Sequence, residues 1–162
     1  MIRGFAAVGL VRPKLPENVG SVLRAAFVYG ASLVAIQGDR TQVRSVTDTP
    51  KAWRHIPVLR AEDLHDLVPF DAVPVAVDLV PEAESLFSFQ HPQRAFYVFG
   101  PEDGTLGASV LDWCKHRLMV PTRGCMNLAA TVNVVLYDRA AKADRMARGV
   151  RYSDLRQTEI AS

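Results

Sequence analysis

The sequence predicts an α/β domain built on a mostly parallel sheet, and three observations point that way. Short apolar runs rich in Val, Ala and Phe alternate with stretches patterned at helical spacing. Several of those runs are apolar on successive residues, as expected of strands covered on both faces by helices. The length, 162 residues, suits one domain with a sizeable core. Residues 1–162 are therefore read as a single domain, with no internal repeat, low-complexity segment or linker.

Phe5–Val11 reads as the first strand. Arg3 ahead of a short apolar stretch superficially resembles a secretory signal, but Arg12-Pro13-Lys14 ends the stretch and no small-residue cleavage site follows. A helix is expected over Val19–Tyr29, with Asn18 as N-cap and Gly30 as its stop. Val19, Val22, Leu23, Ala26 and Phe27 form its apolar stripe. Gly20 and Arg24 share the flank of that stripe, and Gly20 leaves room for a guanidinium directed into a cleft.

Ser32–Ile36 reads as the second strand, His55–Leu59 as a short one and Ala61–Leu67 as a short helix. Val73–Val77, Ala95–Phe99 and Arg117–Val120 follow as strands, with a helix over Ala108–Trp113 between the last two. The final helix is expected from Asn127 to about Ala147. Leu128, Val132, Val135, Leu136, Ala143 and Met146 mark its long apolar face, interrupted by Arg139. Such a face is expected to pack on a second subunit; packing within one core is the alternative.

Composition narrows the function classes. Hydrophobic residues make up 49% and charged residues 22%, the balance of a soluble globular protein. No apolar run approaches the roughly 20 residues that span a bilayer. Cys114 and Cys125 form no disulfide framework, and the four histidines lack zinc-site spacing, so a cytoplasmic, metal-free protein is expected. Charge is uneven: Ala61–Gln93 holds seven acidic residues and no Lys or Arg, leaving all 19 basic residues against 10 acidic ones elsewhere. They gather at Arg40, Arg44, Lys51, Arg54 and Arg60, then at Arg139, Lys142, Arg145, Arg148 and Arg151. Such clusters suit a phosphate backbone or, equally, ordinary solvated helix faces.

Three separated blocks carry the chemistry. Pro16 to Arg24 places Asn18, Gly20 and Arg24 at the mouth of a helix. Phe99-Gly100-Pro101-Glu102-Asp103-Gly104 follows a strand and opens a helix, but fails the dinucleotide fingerprint, because Pro101, Glu102 and Asp103 stand where glycine must admit a pyrophosphate. Carboxylates there repel phosphate and suit a neutral or cationic ligand or a partner Arg, for which Arg24 is the candidate. Val120-Pro121-Thr122 leads through Cys125 to Asn127-Leu128. Asn127 reads first as a helix cap. Cys125 could be a nucleophile but has no adjacent His. Asp78, at a strand end, could bind ribose hydroxyls or be a solvated loop carboxylate.

In order and content the three blocks resemble the SPOUT superfamily of α/β-knot RNA methyltransferases, specifically the 2′-O-ribose branch related to TrmH and TrmL. That branch has an Asn-x-Gly-x-x-x-Arg block, matched by Asn18, Gly20 and Arg24. A Phe-Gly-Pro-Glu block is matched by Phe99 to Glu102, and an Ile-Pro…Ser-x-Asn-Leu block by Val120-Pro121 and Asn127-Leu128. The chain departs from it with Cys125 in place of the Ser, with Ala129-Ala130 where Ser-Asn is familiar, and with a shortened loop before Cys125.

The resemblance implies a deep C-terminal trefoil knot, an exception to the rule against knotted chains. It implies S-adenosylmethionine held by Val77, Asp78, Gly100, Val120, Cys125 and Leu128, with no metal. For catalysis it implies Arg24 stabilising the developing alkoxide, Glu102 fixing Arg24, Asn18 shaping the acceptor pocket and Asn127 ordering the knot loop. A homodimer acting on RNA is implied, tRNA before rRNA, with the anticodon wobble nucleotide as a candidate position. The competing classes are an rRNA 2′-O-methyltransferase, a non-catalytic RNA-binding protein on a degenerate knot fold, and a nucleotide-binding oxidoreductase, which the missing fingerprint disfavours.

Overall fold

The computed structural model describes residues 4–40 and 51–149. Within them lie strands β1 (Phe5–Val11), β2 (Leu33–Gln37), β3 (Val58–Ala61), β4 (Val73–Val77), β5 (Glu84–Ser85), β6 (Arg94–Phe99) and β7 (His116–Met119). Helices α1 (Pro16–Val28), α2 (Ala108–Leu111) and α3 (Leu128–Ala147) accompany them, with 3₁₀ turns at Ala52–Arg54 and Leu64–Leu67. The strands form one sheet in the order β3-β2-β1-β6-β4-β7-β5. Every pairing is parallel. The expected α/β class and parallel sheet are both present.

Alternation along the strands sends side chains to two cores. Val8, Leu10, Val75, Tyr97 and Phe99 face α1 and α3. Ala7, Ala35, Phe96 and Val98 face Leu64, Leu106 and Val110 on the other side. Burial on both faces explains why these strands read as continuous apolar runs. Gly9 is required by close approach: a Cβ there would lie 2.9 Å from the Phe96 ring.

Helix α1 begins three residues earlier than expected. Pro16, with its φ already helical, occupies the first turn after Leu15, so Asn18 lies inside the helix and caps nothing. Its end is as expected. Gly30 takes φ +70°, donating to Phe27 O, while Ala31 donates to Ala26 O, the paired bonds of a Schellman stop. Strand β3 is displaced to Val58–Ala61 by its register with Val34–Gln37. The helix expected over Ala61–Leu67 contracts to the Leu64–Leu67 turn, capped by Asp63 Oδ1 accepting from His65 N at 2.9 Å. Helix α2 stops at Leu111 rather than Trp113; beyond it Lys115 N already donates to Pro74 O as β7 begins.

The apolar face of α3 is largely consumed within the chain: Leu128, Val132, Val135 and Leu136 are buried in the core shared with α1. Two of the basic residues of α3, Arg139 and Lys142, are turned inward and away from any phosphate. Arg139 is only 6% exposed and donates to Pro92 O, Phe5 O and Gln93 O at 2.6, 3.1 and 2.9 Å. Lys142 pairs with Asp138 at 2.7 Å and donates to Leu86 O and Phe89 O. Arg148 pairs with Asp144 at 2.9 Å, and Arg145 is exposed. Arg44 and Arg151 lie outside the described residues.

Candidate functional site

The site grows from the carboxyl ends of the strands. At β1 the chain turns through α1 toward β2, whereas at the adjacent β6 it turns toward β7, beyond β4. Loops leaving neighbouring strands in opposite directions open a crevice at their carboxyl ends, the general location of ligand sites in parallel sheets. Beside it, at the carboxyl ends of β6, β4 and β7, lies a cavity of about 290 Å³, between the loops after those strands and the start of α3. All six residues expected to hold a cofactor line it: Val77, Asp78, Gly100, Val120, Cys125 and Leu128. Leu79, Phe99 and Met126 add apolar wall, Thr122 of the third block brings a hydroxyl, and Thr105 and Thr131 bring two more that the sequence did not single out. Helical spacing alone could have flagged Thr131, one turn beyond Asn127 and bonded to its carbonyl at 3.0 Å.

Beside the cavity, and reaching it through Glu102, a relay joins all three sequence blocks. Asn127 caps α3, its Oδ1 accepting from Ala129 N at 2.9 Å and Ala130 N at 3.2 Å. That orientation turns its Nδ2 toward Asn18 Oδ1, which accepts at 2.9 Å. Asn18 Nδ2 in turn donates to Glu102 Oε1 at 2.9 Å. Both amide orientations are dictated by the ends of the chain of bonds, backbone donors at α3 and an acceptor-only carboxylate at Glu102. Asn18 is only 8% exposed, so an unpaired amide there would be costly.

Glu102 also accepts from Lys14 N at 2.8 Å and Leu15 N at 3.1 Å, tying the loop after β6 to the entrance of α1. Partial burial pushes its carboxyl upward, but the bonds from Asn18 and from the Lys14 and Leu15 backbone outweigh that, and the net shift is downward. It is held as a carboxylate. This overturns the expected Glu102–Arg24 pairing, because the Glu102 oxygens are already committed to the α1 entrance. Arg24, six residues beyond Asn18, lies about 9 Å further along the axis. Its side chain is exposed, does not line the cavity and has no hydrogen bond or ion pair among the described residues.

Asp78 has a use other than the two anticipated. Its Oδ2 accepts from Leu106 N at 2.6 Å and its Oδ1 from Leu79 N at 2.7 Å, clasping the loop after β4 to the loop after β6. Thr122 Oγ1 donates to Gly124 O at 2.7 Å and stiffens the third loop. Cys125 is an exposed free thiol in the cavity wall. Arg123 is exposed between the lining residues Thr122 and Cys125, and on the other side of the Glu102 turn Lys14 and Arg40 meet Asp103.

Comparisons with known proteins agree with this architecture. The structure is similar to the SpoU methyltransferase AviRb from Streptomyces viridochromogenes, solved in complex with AdoMet. The TM-score is 0.77 at 22% identity, covering 93% of this chain and 61% of that one, so this chain spans about three fifths of its length. It is similar to the A. aeolicus TrmH/SpoU tRNA modifying enzyme, with TM-score 0.78, 14% identity and coverage of 91% and 79%. A structure concerned with 2-OH methylation of C/U34 on tRNA gives TM-score 0.70 at 23% identity, covering 90% of this chain and 98% of that one. No curated protein matches at a significant level. The model of one protein family spans residues 6–137, most of the sequence, and on that basis the chain belongs to the SpoU rRNA Methylase family.

Proposed function

We propose that this chain transfers a methyl group from S-adenosylmethionine to a ribose 2′-hydroxyl of tRNA, with the anticodon wobble nucleotide as the target. The observation that supports this most is the convergence of Val77, Asp78, Gly100, Val120, Cys125 and Leu128 on one cavity beside the Glu102–Asn18–Asn127 relay. The cavity fits the donor chemically. Its Val77, Phe99, Val120 and Leu128 walls suit an adenine ring and an aliphatic chain, and the Glu102 carboxylate favours a cation. The AdoMet complex of AviRb and the 2-OH methylation of C/U34 in a chain of matching length favour the same reading.

Val77, Asp78, Gly100, Val120, Cys125 and Leu128 would hold the donor, which would supply an electrophilic methyl carbon on a sulfonium for a 2′-oxygen whose proton would pass to solvent. The protein positions the two reactants. Asn127 fixes the start of α3, and Asn18 holds the acceptor side of the crevice against it. Glu102 is a positioning residue rather than a base, since its engagement lowers its affinity for a proton.

Arg24 stabilises negative charge developing on the 2′-oxygen. It shares an exposed flank of α1 with Phe27 and Val28, at i+3 and i+4. Tyr137 and Met146 leave further apolar surface on α3. These support a homodimer in which Arg24 reaches the crevice across the interface. The reading includes the C-terminal knot, which would press the Val120–Leu128 turn against the other two loops.

Calorimetry with S-adenosylmethionine tests the proposal. One site per chain is expected, with Arg24→Ala leaving that affinity nearly intact while abolishing transfer to tRNA. Absence of cofactor binding would favour a non-catalytic RNA-binding protein instead. Ribosomal RNA, which the family's name favours, is separated by offering both acceptors to the same enzyme.

A further inference from the structure

Two carboxylates stand side by side in the loop after β6, and they do different things. Glu102 turns inward to the α1 entrance, whereas Asp103 turns out to solvent. A single oxygen of Asp103, Oδ2, receives Arg40 Nη2 at 3.2 Å and Lys14 Nζ at 3.7 Å. The three side chains are 41–53% exposed. Hydrogen bonding from Arg40 lowers the Asp103 pKa, so the acceptor is charged.

Each of the two basic residues has one further tie besides that carboxylate. Lys14 is pinned through its backbone N–H to Glu102 at 2.8 Å, and Arg40 directs Nη1 to Arg12 O at 3.4 Å. More positive charge gathers around the same turn. The Arg12 stem lies 3.7 Å from where a Gly38 Cβ would be, and Arg60 Nη1 donates to Gly38 O at 2.7 Å. Asp39 lies exposed in that turn as well. This cluster follows the carboxyl ends of β1, β2 and β3, one loop away from the cavity. A lone carboxylate oxygen shared by an ammonium and a guanidinium has the arrangement a phosphodiester oxygen would take. Exposed pairs of this kind are weak and screened, so they exchange readily.

We propose that Lys14 and Arg40 form a binding pair for an RNA backbone phosphate beside the cavity, and that Asp103 occupies the pair until RNA displaces it. The proposal rests on the reading of this chain as an RNA methyltransferase and adds where the backbone is gripped. It makes Asp103 an internal competitor for RNA and couples RNA arrival to release of the turn that carries Glu102.

The test measures binding of tRNA transcripts to the full chain at a series of salt concentrations, for wild type, Asp103→Asn and the Lys14→Ala/Arg40→Ala double variant. Asp103→Asn is expected to bind severalfold more tightly. The double variant should bind on the order of tenfold more weakly, with a log–log salt slope shallower by about 1 to 2. Thermal melts verify that each variant folds, as substitution at exposed positions predicts. Unchanged affinity in both variants, with wild type still binding tRNA and S-adenosylmethionine, would overturn the phosphate pair and leave the methyltransferase reading standing. Loss of wild-type binding to both would overturn the two together. Competition by millimolar inorganic phosphate as effective as by tRNA would overturn the RNA assignment in favour of a small-anion site.

Discussion

The two ends of the sheet use charge in opposite ways. At the amino end, Arg139 and Lys142 are drawn inward and spend their donors on the carbonyls of Phe5, where β1 begins, of Pro92 and Gln93 before β6, and of Leu86 and Phe89 after β5. His91 completes that cluster, its Nε2 at 2.8 Å from Asp138 Oδ2 and its Nδ1 at 2.6 Å from Tyr97 OH. The carboxylate can only accept, so Nε2 carries the proton and Nδ1 accepts from the tyrosine. At the carboxyl end, Lys14 and Arg40 hold an exposed carboxylate, and the buried connections run through the neutral amides of Asn18 and Asn127. One end locks α3 to the sheet; the other keeps its cations at the surface. In a linear sequence the two sets of basic residues look alike.

The largest expected effect breaks the locked end. Arg139→Ala would remove a buried donor from the Pro92, Phe5 and Gln93 carbonyls and from the Tyr97 hydroxyl, lowering stability by about 3 kcal/mol in denaturant unfolding. RNA affinity of the folded protein should be unchanged, because this guanidinium is not available to phosphate.

At the other end, Asn18→Ala severs the relay in the middle. About 1–2 kcal/mol of stability should be lost, since the change unpairs Asn127 Nδ2 and takes one of two donors from Glu102 Oε1 at a partly buried site. Methyl transfer should fall much further than stability does, measured as single-turnover rate at saturating cofactor. A proportionate fall would make Asn18 a structural residue only.

The smallest effect is a pH dependence that belongs to the locked end. Burial lowers the His91 pKa below its usual 6.5, and the hydrogen bond to Asp138 only partly offsets it. For Asp138, burial raises the pKa, but bonds from His91 and Lys142 outweigh that and bring it down. Both folded values are depressed, so the unfolded chain binds more protons in acid. The His91 contribution is present above 6.5 and is lost as pH falls through the lowered folded value; that of Asp138 is lost at lower pH. His91→Gln should therefore flatten the stability profile just below pH 6.5, which urea melts at stepped pH would read.

Much of this architecture was legible in the sequence because burial on both sheet faces writes itself as apolar runs. Phe5–Val11 and Val73–Val77 match their strands at both ends. The Gly30 stop and the Asn127 cap were legible because each is a local requirement, one of a left-handed φ and the other of orphan N–H groups. Asn18 was misread as a cap because Pro16 starts the helix earlier, and its partner is 84 residues away. The Arg24–Glu102 pairing failed, and Arg139 and Lys142 dropped out of the basic cluster on α3, for a common reason. Charge in a sequence carries no record of what tertiary structure puts beside it, as Arg139 at 6% exposure shows.

The proposed activity requires three separated turns to assemble a crevice where a sulfonium donor meets a ribose hydroxyl. Its most direct test incubates the purified chain with radiolabelled S-adenosylmethionine and tRNA, then locates the label within the digested RNA. Label on a ribose 2′-oxygen, at one nucleotide, is the predicted result. Label on a base, or none in RNA despite bound cofactor, would contradict it.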